Sequence, residues 1–491
     1  MKIDYQAALT EQTDLSLRSE MLADLTDEDA RLATWSPARG RTRFTAIIHD
    51  VVFPEDGEIK RHGNVTVEPT YIERATEVAR AAGRGLALIH THPCGVGWQK
   101  PSDVDIENEQ VLLGRSTYGV TGLPLVGLIL SGEGRWGARV YPVDRSGVVR
   151  CEECSAVRVV GRLLHVHFNP ELIPPPEMVR AQRRTRTMWG DLSQAQIMRL
   201  RVGVIGAGSV GGIVAEVLAR VGIGHLTLMD FDVVEDHNLD RLIYATKKDV
   251  RTRARKVSVL EPHLRASSTT PGFKIEPRIE SIVEETGFLD ALDCDVLFSC
   301  VDRNWPRQVL NHVAYSCLIP VVDGGVSIRL RDEGQLAHAV YRAQTVGPSR
   351  PCLLCLGMYD AGRIQMERDG VLEDPQYIES LGEEGRRQLE QERQNIMPFA
   401  TGLASLEVLQ FAELVTGVAQ WGDLGMQQFD FLNGDLQSDH GRKCHPECEY
   451  VRMVGEGMLR PPILGEDKAR SAVEKSLGRR KGSRLLRRRG A

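Results

Sequence analysis

Short apolar runs punctuate the first third of the chain. Phe44-Thr45-Ala46-Ile47-Ile48, Leu86-Ala87-Leu88-Ile89 and Leu125 to Leu130 each read as a buried strand, and Tyr71 to Ala82 reads as a helix between them. Pro170 to Arg186, with prolines at 174, 175 and 176 and a basic cluster, reads as a connector leading into a polar helix. From Arg201 to about residue 435, strand-like and helical stretches alternate as they do around a parallel βαβ sheet. The prediction is an α/β protein in four parts: an α/β domain over 1–158, a linker and basic helix over 159–197, a Rossmann-like domain with a mostly parallel sheet over 198–465, and a disordered basic tail over 466–491. No internal repeat is visible.

Length supports the division, because 491 residues exceed what one compact core usually holds. A net charge of -6 excludes a global attraction for nucleic acid or anionic membrane. The tail differs: from Lys468 onward ten Lys and Arg face one acid, Glu474. Such a run reads first as a solvated tail, and second as a contact for nucleic acid or an acidic partner. The longest uncharged stretch, Ser116 to Gly132, is too short and too polar to span a bilayer. No apolar export segment follows Met1, so a cytoplasmic protein is expected. Its ten cysteines are then reduced thiols or metal ligands.

The first chemical constellation is His90-Thr91-His92-Pro93, followed by Ser102-Asp103-Val104-Asp105. Residues two apart on a strand project from one face, so His90 and His92 can aim both imidazoles at one ion. A downstream carboxylate completes a three-ligand set that leaves one position for water, the arrangement of a catalytic zinc. His165-Val166-His167 repeats the spacing without the Ser-x-x-Asp and reads as strand surface.

His-x-His-Pro with Ser-x-x-Asp resembles the JAMM (JAB/MPN) metalloproteases, which cleave after the C-terminus of ubiquitin-like proteins. The resemblance implies a JAB/MPN-like domain with His90, His92 and Asp105 as zinc ligands and Ser102 supporting the oxyanion. It also implies an upstream general base, for which Glu28 is favoured and Asp29 is the reserve. The His-to-Asp gap is longer than the usual family spacing, so Asp103 competes with Asp105 as the third ligand.

The second constellation is Val202-Gly203-Val204-Ile205-Gly206-Ala207-Gly208-Ser209-Val210-Gly211, an apolar strand entering G-x-G-x-x-G with a helix behind it. Glycines let the backbone approach phosphates, and the helix N-terminus favours their charge. Asp230, ending the next strand, stands where an acid commonly bonds ribose. Asp232, Asn238, Arg241, Lys256, Asp302 and Arg307 then follow in order. Cations against a triphosphate and a carboxylate for Mg²⁺ suit phosphoryl chemistry better than hydride transfer.

That ordered set resembles the E1/MoeB/ThiF family over roughly residues 180–450. The resemblance implies ATP and Mg²⁺ as cofactors and adenylation of the C-terminal glycine of a ubiquitin-like protein. Gly206, Gly208 and Gly211 would form the nucleotide loop, Asp230 would bind ribose, Asn238, Arg241 and Lys256 would contact phosphates, and Asp302 would bind Mg²⁺. Met397 to Glu407 resembles the Pro-containing entry to the family's late helix. Homodimerisation through this domain is implied as well, with Arg186 a candidate to reach across the interface.

Cys352-x-x-Cys355 and Cys444-x-x-x-Cys448 read as two knuckles of a structural zinc, with His445 able to replace one thiolate; Cys151 and Cys154 read as free thiols. No cysteine lies between Leu356 and Pro398, where E1 relatives that form thioesters carry theirs. Either a hydroxyl such as Thr401 or Ser380 takes the acyl group, or it passes directly from the adenylate to an E2-like protein or other acceptor. The expected function is therefore activation of a ubiquitin-like protein fused to zinc-dependent cleavage after its C-terminus. Sulfur-carrier activation and a non-catalytic scaffold are the alternatives.

Overall fold

The computed structural model describes residues 3–331, 335–383, 385–386, 394–420 and 422–489. Eleven strands precede residue 170: β1 (Asp4–Thr10), β2 (Ala30–Arg39), β3 (Arg43–Val52), β4 (Ile59–His62), β5 (Asn64–Val67), β6 (Gly85–His92), β7 (Leu125–Ser131), β8 (Trp136–Tyr141), β9 (Glu152–Glu153), β10 (Ala156–Val160) and β11 (Leu164–Phe168). Nine of them form one mixed sheet in the order β11-β10-β1-β3-β2-β6-β7-β8-β9, and β4 pairs with β5 as a separate hairpin. The helices of this half are α1 (Glu11–Met21), α2 (Pro69–Ala81), α3 (Asp103–Glu107) and α4 (Gly114–Thr121). α1 starts at Thr10, whose hydroxyl accepts from the Thr13 amide, and α2 starts on Pro69, where a missing N–H costs nothing.

The chain then passes through α5 (Arg183–Arg199), which is broken at Gly190, where φ is +82°. The second sheet has eight strands: β12 (Arg201–Ile205), β13 (His225–Met229), β14 (Lys274–Arg278), β15 (Val296–Ser299), β16 (Val321–Leu330), β17 (Leu336–Val346), β18 (Met426–Asp430) and β19 (Asp435–Asp439). Their order is β14-β13-β12-β15-β16-β17-β18-β19. The first five strands run parallel and the last three add antiparallel. Strand order reverses beside β12, so the carboxyl ends of β12, β13 and β15 border the crevice where such folds bind nucleotides. α6 (Ser209–Val221) leaves β12 into that crevice.

The two sheets share one core. Ala8, Ile47, Val160 and Val166 of the first belong to the same buried cluster as Val202 and Phe298 of the second and Ile197 of α5. A buried ion cluster crosses the junction: Arg43 and Arg158 both point at Asp295, at 2.8 and 3.4 Å, and both donate to the Cys294 carbonyl. Removing one member would leave uncompensated buried charge, a loss of roughly 3–5 kcal/mol.

Three expectations change. The first unit does not stop at residue 158, because β10 spans that position and β11 pairs with it through Phe168. His167 is not strand surface: it is buried, and its Nδ1 accepts from the Trp136 amide at 3.4 Å, whereas His165 is exposed. The basic tail is not a disordered one over Lys468–Arg489, which is helical and whose first turns dock on the second domain; Gly490 and Ala491 lie outside the described residues. No helix among the described residues is long and apolar enough to cross a membrane.

Candidate functional site

A cavity of about 480 Å³ opens at the carboxyl ends of β12, β13 and β15. Gly206 and Gly208 form its floor, and Asp230, Asp232, Asn238, Arg241, Lys256 and Asp302 stand around it. Gly206 has φ +97°, and a Cβ there would strike the Cys300 carbonyl, so only glycine fits the turn. Gly211 sits one turn into α6 and lets that helix pack on the Gly206 carbonyl rather than lining the cavity.

Asp230 organises the loop. Its carboxylate accepts from the Ala207 and Asp232 amides, both at 2.7 Å, and burial raises its pKa. Lys256 opens the helix Lys256–Ser267 and donates to Asp232 at 2.8 Å. Burial opposes its charge, but Asp230 and Asp232 outweigh that and raise its pKa, so the ammonium is fixed. Asn238 accepts from the Glu235 amide at 3.1 Å, and Arg241 donates to the His237 carbonyl at 2.6 Å and to Asp240. Asp302 is exposed at the mouth, within the field of Lys256 and Arg303.

Beneath the cavity lies a polar cluster that the sequence did not disclose. Asp323 is fully buried and accepts from Ser299, Arg307, Arg342 and Gln344 at 2.7–3.3 Å. Glu407 is buried beside it, and burial, reinforced by Asp323, pushes its pKa well up. Cys300 donates to it, and burial pushes that thiol up as well. Asn395, just before the helix Met397–Thr416, lines the cavity and donates to Ser209, while its Oδ1 is buried without a partner among the described residues. Thr401 and Ser380 instead donate to carbonyls of their own helices and line no part of the cavity. Arg186 is held by Asp191 on α5, at 2.7 and 2.8 Å, and does not line it either.

In the first unit, His90 and His92 end β6 with their Nε2 atoms 3.3 Å apart, and Asp105 Oδ2 lies 3.8 Å from His90 Nε2. Zinc–nitrogen bonds of roughly 2.0–2.1 Å put ligand atoms about 3.3 Å apart at a tetrahedral ion, so this donor set fits the metal. Asp105, rather than Asp103, joins the two histidines. It is held there by a capping box: Ser102 Oγ and its amide both donate to Asp105 Oδ2 at 2.8 Å. Burial, with Arg139 nearby, pushes His90 down to about 3, which keeps the imidazole neutral. Glu28 sits within the field of His92 and Asp105, and burial raises its pKa, as suits a base. Asp29 is committed elsewhere, to Arg31 and Arg61 at 2.8 and 2.9 Å.

Cys352, Cys355, Cys444 and Cys448 bring their sulfurs within 4.8 Å of one another. The Cys352 amide donates to Cys444 Sγ and the Cys355 amide to Cys352 Sγ, bonds that suit thiolates. Four sulfurs at this spacing match a structural zinc. His445 is not among them; its amide donates to Cys355 Sγ. Cys151 and Cys154 are free, and Cys154 is buried.

A Rossmann-like sheet whose switch-point crevice carries a glycine turn, the buried Asp230 and the cations Arg241 and Lys256 defines an α/β domain of the kind that binds nucleotides. The chain belongs to the ThiF family, whose model matches residues 180–450. It is 32% identical over 169 residues to the SAMP-activating enzyme E1 of Haloferax volcanii, covering 34% of this chain and 57% of that protein. It is 30% identical over 172 residues to the adenylyltransferase and sulfurtransferase UBA4 of Yarrowia lipolytica, covering 34% and 39%. It therefore spans only part of the length of these relatives. Among solved structures, E. coli MccB with ATP matches at 17% identity over 57% of this chain and 76% of that one, with a TM-score of 0.41.

Proposed function

We propose that the cavity adenylates the C-terminal carboxylate of a ubiquitin-like protein, and that the first unit is a JAMM-type isopeptidase acting after the same terminus. The observation that carries the first half is the convergence of Gly206, Asp230, Asn238, Arg241, Lys256 and Asp302 on one cavity. ATP would lie with its ribose on Asp230 and its phosphates toward Lys256, Arg241 and Asn238. Asp302 would hold Mg²⁺, whose charge offsets that of the departing pyrophosphate. The carrier carboxylate attacks the α-phosphorus, pyrophosphate leaves, and the fixed charge of Lys256 favours the charge built up on the phosphates.

Beyond the adenylate, direct transfer to an acceptor such as an E2-like protein is the reading we favour. Thr401 and Ser380 are turned into their helices, and Cys300 is held as a thiol. A double Thr401→Ala, Ser380→Ala variant that loses an alkali-labile adduct seen in the parent would overturn this. Homodimerisation is supported by an apolar groove lined by Trp189, Val217 and Leu409, and by Leu192 of α5, which is 86% exposed.

For the isopeptidase half, the boundary lies near residue 168. Zinc on His90, His92 and Asp105 would supply a Lewis acid that acidifies a water and polarises the scissile carbonyl. Glu28 takes the proton from the attacking water and returns it to the leaving amine; Ser102 fixes Asp105 through its amide, and its hydroxyl, which donates to Asp105 at rest, would turn to the oxyanion. The test is cleavage of a ubiquitin-like protein extended past its terminal glycine, with Glu28→Gln as the comparison; equal cleavage would remove this half of the proposal.

A second reading, activation of a sulfur carrier, has the name of the Yarrowia relative and the cysteine-free stretch Leu356 to Pro398 in its favour. Sulfide-dependent thiocarboxylate on the carrier, seen by mass spectrometry, would select it.

A further inference from the structure

The C-terminal segment reaches the nucleotide cavity. Asp467 and Ala469 line it, next to Glu280, Ser281 and Ile282, which follow β14. The edge strand β14 lies beyond β13, which leads into Asp230, the acid proposed for the ribose, so these residues border the base end of the crevice.

The contacts that hold the segment there are specific. Ser281 donates to Asp467 Oδ2 at 2.6 Å, and the Asp467 amide donates to Glu284 at 3.0 Å. Asp467 Oδ1 caps the last helix by accepting from the Ala469 amide at 3.0 Å. Arg470 pairs with Glu284 and lies 3.4 Å from Glu280. Upstream, the Gly465 amide donates to the Val283 carbonyl at 2.9 Å. Asp467 is 5% exposed and Ala469 9%.

A turn and a half further on, the same helix meets the residues that lead into Lys256. Glu474 pairs with Arg255 at 2.5 Å, and Ser476 accepts from Arg253 at 3.0 Å. Arg255 in turn donates to the Phe231 carbonyl. It therefore stands between Phe231, next to Asp230, and the adjacent Lys256. One helix thus braces the base-side loop 280–284 and the strut beneath the phosphate-side lysine.

We propose that the segment Gly465–Ser476 is a strap that completes the nucleotide site, with Asp467 and Arg470 as positioning residues for the base-side wall. Without it, Ser281 and Glu284 lose their partners and Arg255 loses the acid that sets its direction. Nucleotide affinity then falls, while the groups proposed for chemistry remain in place. The proposal rests on the nucleotide reading of the cavity but not on which carrier is activated.

The test is direct binding of ATP with Mg²⁺, by calorimetry on the full chain and on a chain ending at Leu464. We expect binding about tenfold weaker or more without the strap, the equivalent of losing one or two net hydrogen bonds. Arg470→Glu should weaken binding similarly, and the pair Arg470→Glu, Glu284→Arg should restore most of it, which separates a specific contact from lost stability. In carrier-dependent exchange the variants should raise the KM for ATP more than they lower kcat. Equal ATP affinity in the truncated and full chains, or no rescue by the charge swap, overturns the strap. Full-chain ATP binding without exchange for any carrier would instead remove the adenylation reading and leave the strap standing; a full chain that binds no ATP removes both.

Discussion

Lys256 donates to Asp232 at 2.8 Å while facing Asp230, so its positive charge is fixed in a buried place before any nucleotide arrives. Such a preorganised cation contributes most where charge develops during reaction. Lys256→Ala should cut adenylation by about 10²–10³ in kcat. ATP–pyrophosphate exchange measures it, and a loss under tenfold would mean the lysine is an ion-pair partner only.

The residues proposed as zinc ligands and as base should separate by what their loss removes. Asp105→Asn should lose metal and cleavage together, whereas Glu28→Gln should keep metal and lose cleavage by roughly 10²-fold or more. Asp103→Asn should keep both. Metal analysis on each purified variant, alongside cleavage of an extended carrier, distinguishes the three.

Removing one sulfur from the four-cysteine cluster should act on stability rather than on nucleotide chemistry. Cys352→Ser should bind less zinc and melt lower, by roughly 2–4 °C for each kcal/mol lost in a domain of this size. An unchanged melting temperature would mean that the cluster is not a structural metal site.

His167 gives an acid-sensitivity prediction. Burial, with Arg135 and Arg18 nearby, lowers its folded pKa to about 3, below the ordinary value of 6.5. Below pH 6.5 the unfolded chain therefore binds a proton that the native state refuses. Stability is full above 6.5 and falls as pH drops toward about 3, by up to about 1.4 kcal/mol per pH unit. Denaturant unfolding of His167→Gln should show a shallower loss across that window; equal slopes would contradict the assignment.

What the sequence disclosed was local. The glycine turn at 206–211, the alternating histidines of β6 and the Ser-x-x-Asp at 102–105 are each written within a few residues, so their spacing located them. Asp323 and Glu407 were hidden because they lie far apart in sequence and meet only once β16 and the helix Met397–Thr416 pack. The tail misled for a related reason: its charge suggests solvation, and only the fold shows Arg470 meeting Glu284 and Glu474 meeting Arg255. β11, although His165-Val166-His167 reads as strand, fell on the linker side of the boundary because Leu164 to Phe168 is a short run just before the prolines of the connector.

The most direct test of the central claim is ATP–pyrophosphate exchange with a ubiquitin-like protein ending in glycine, comparing the parent chain with Asp302→Ala. The account predicts carrier-dependent exchange in the parent and its loss in the variant, with the ThiF-family cavity acting as an adenylating site. Exchange that persists in Asp302→Ala, or none in the parent with any of several such carriers, would contradict it.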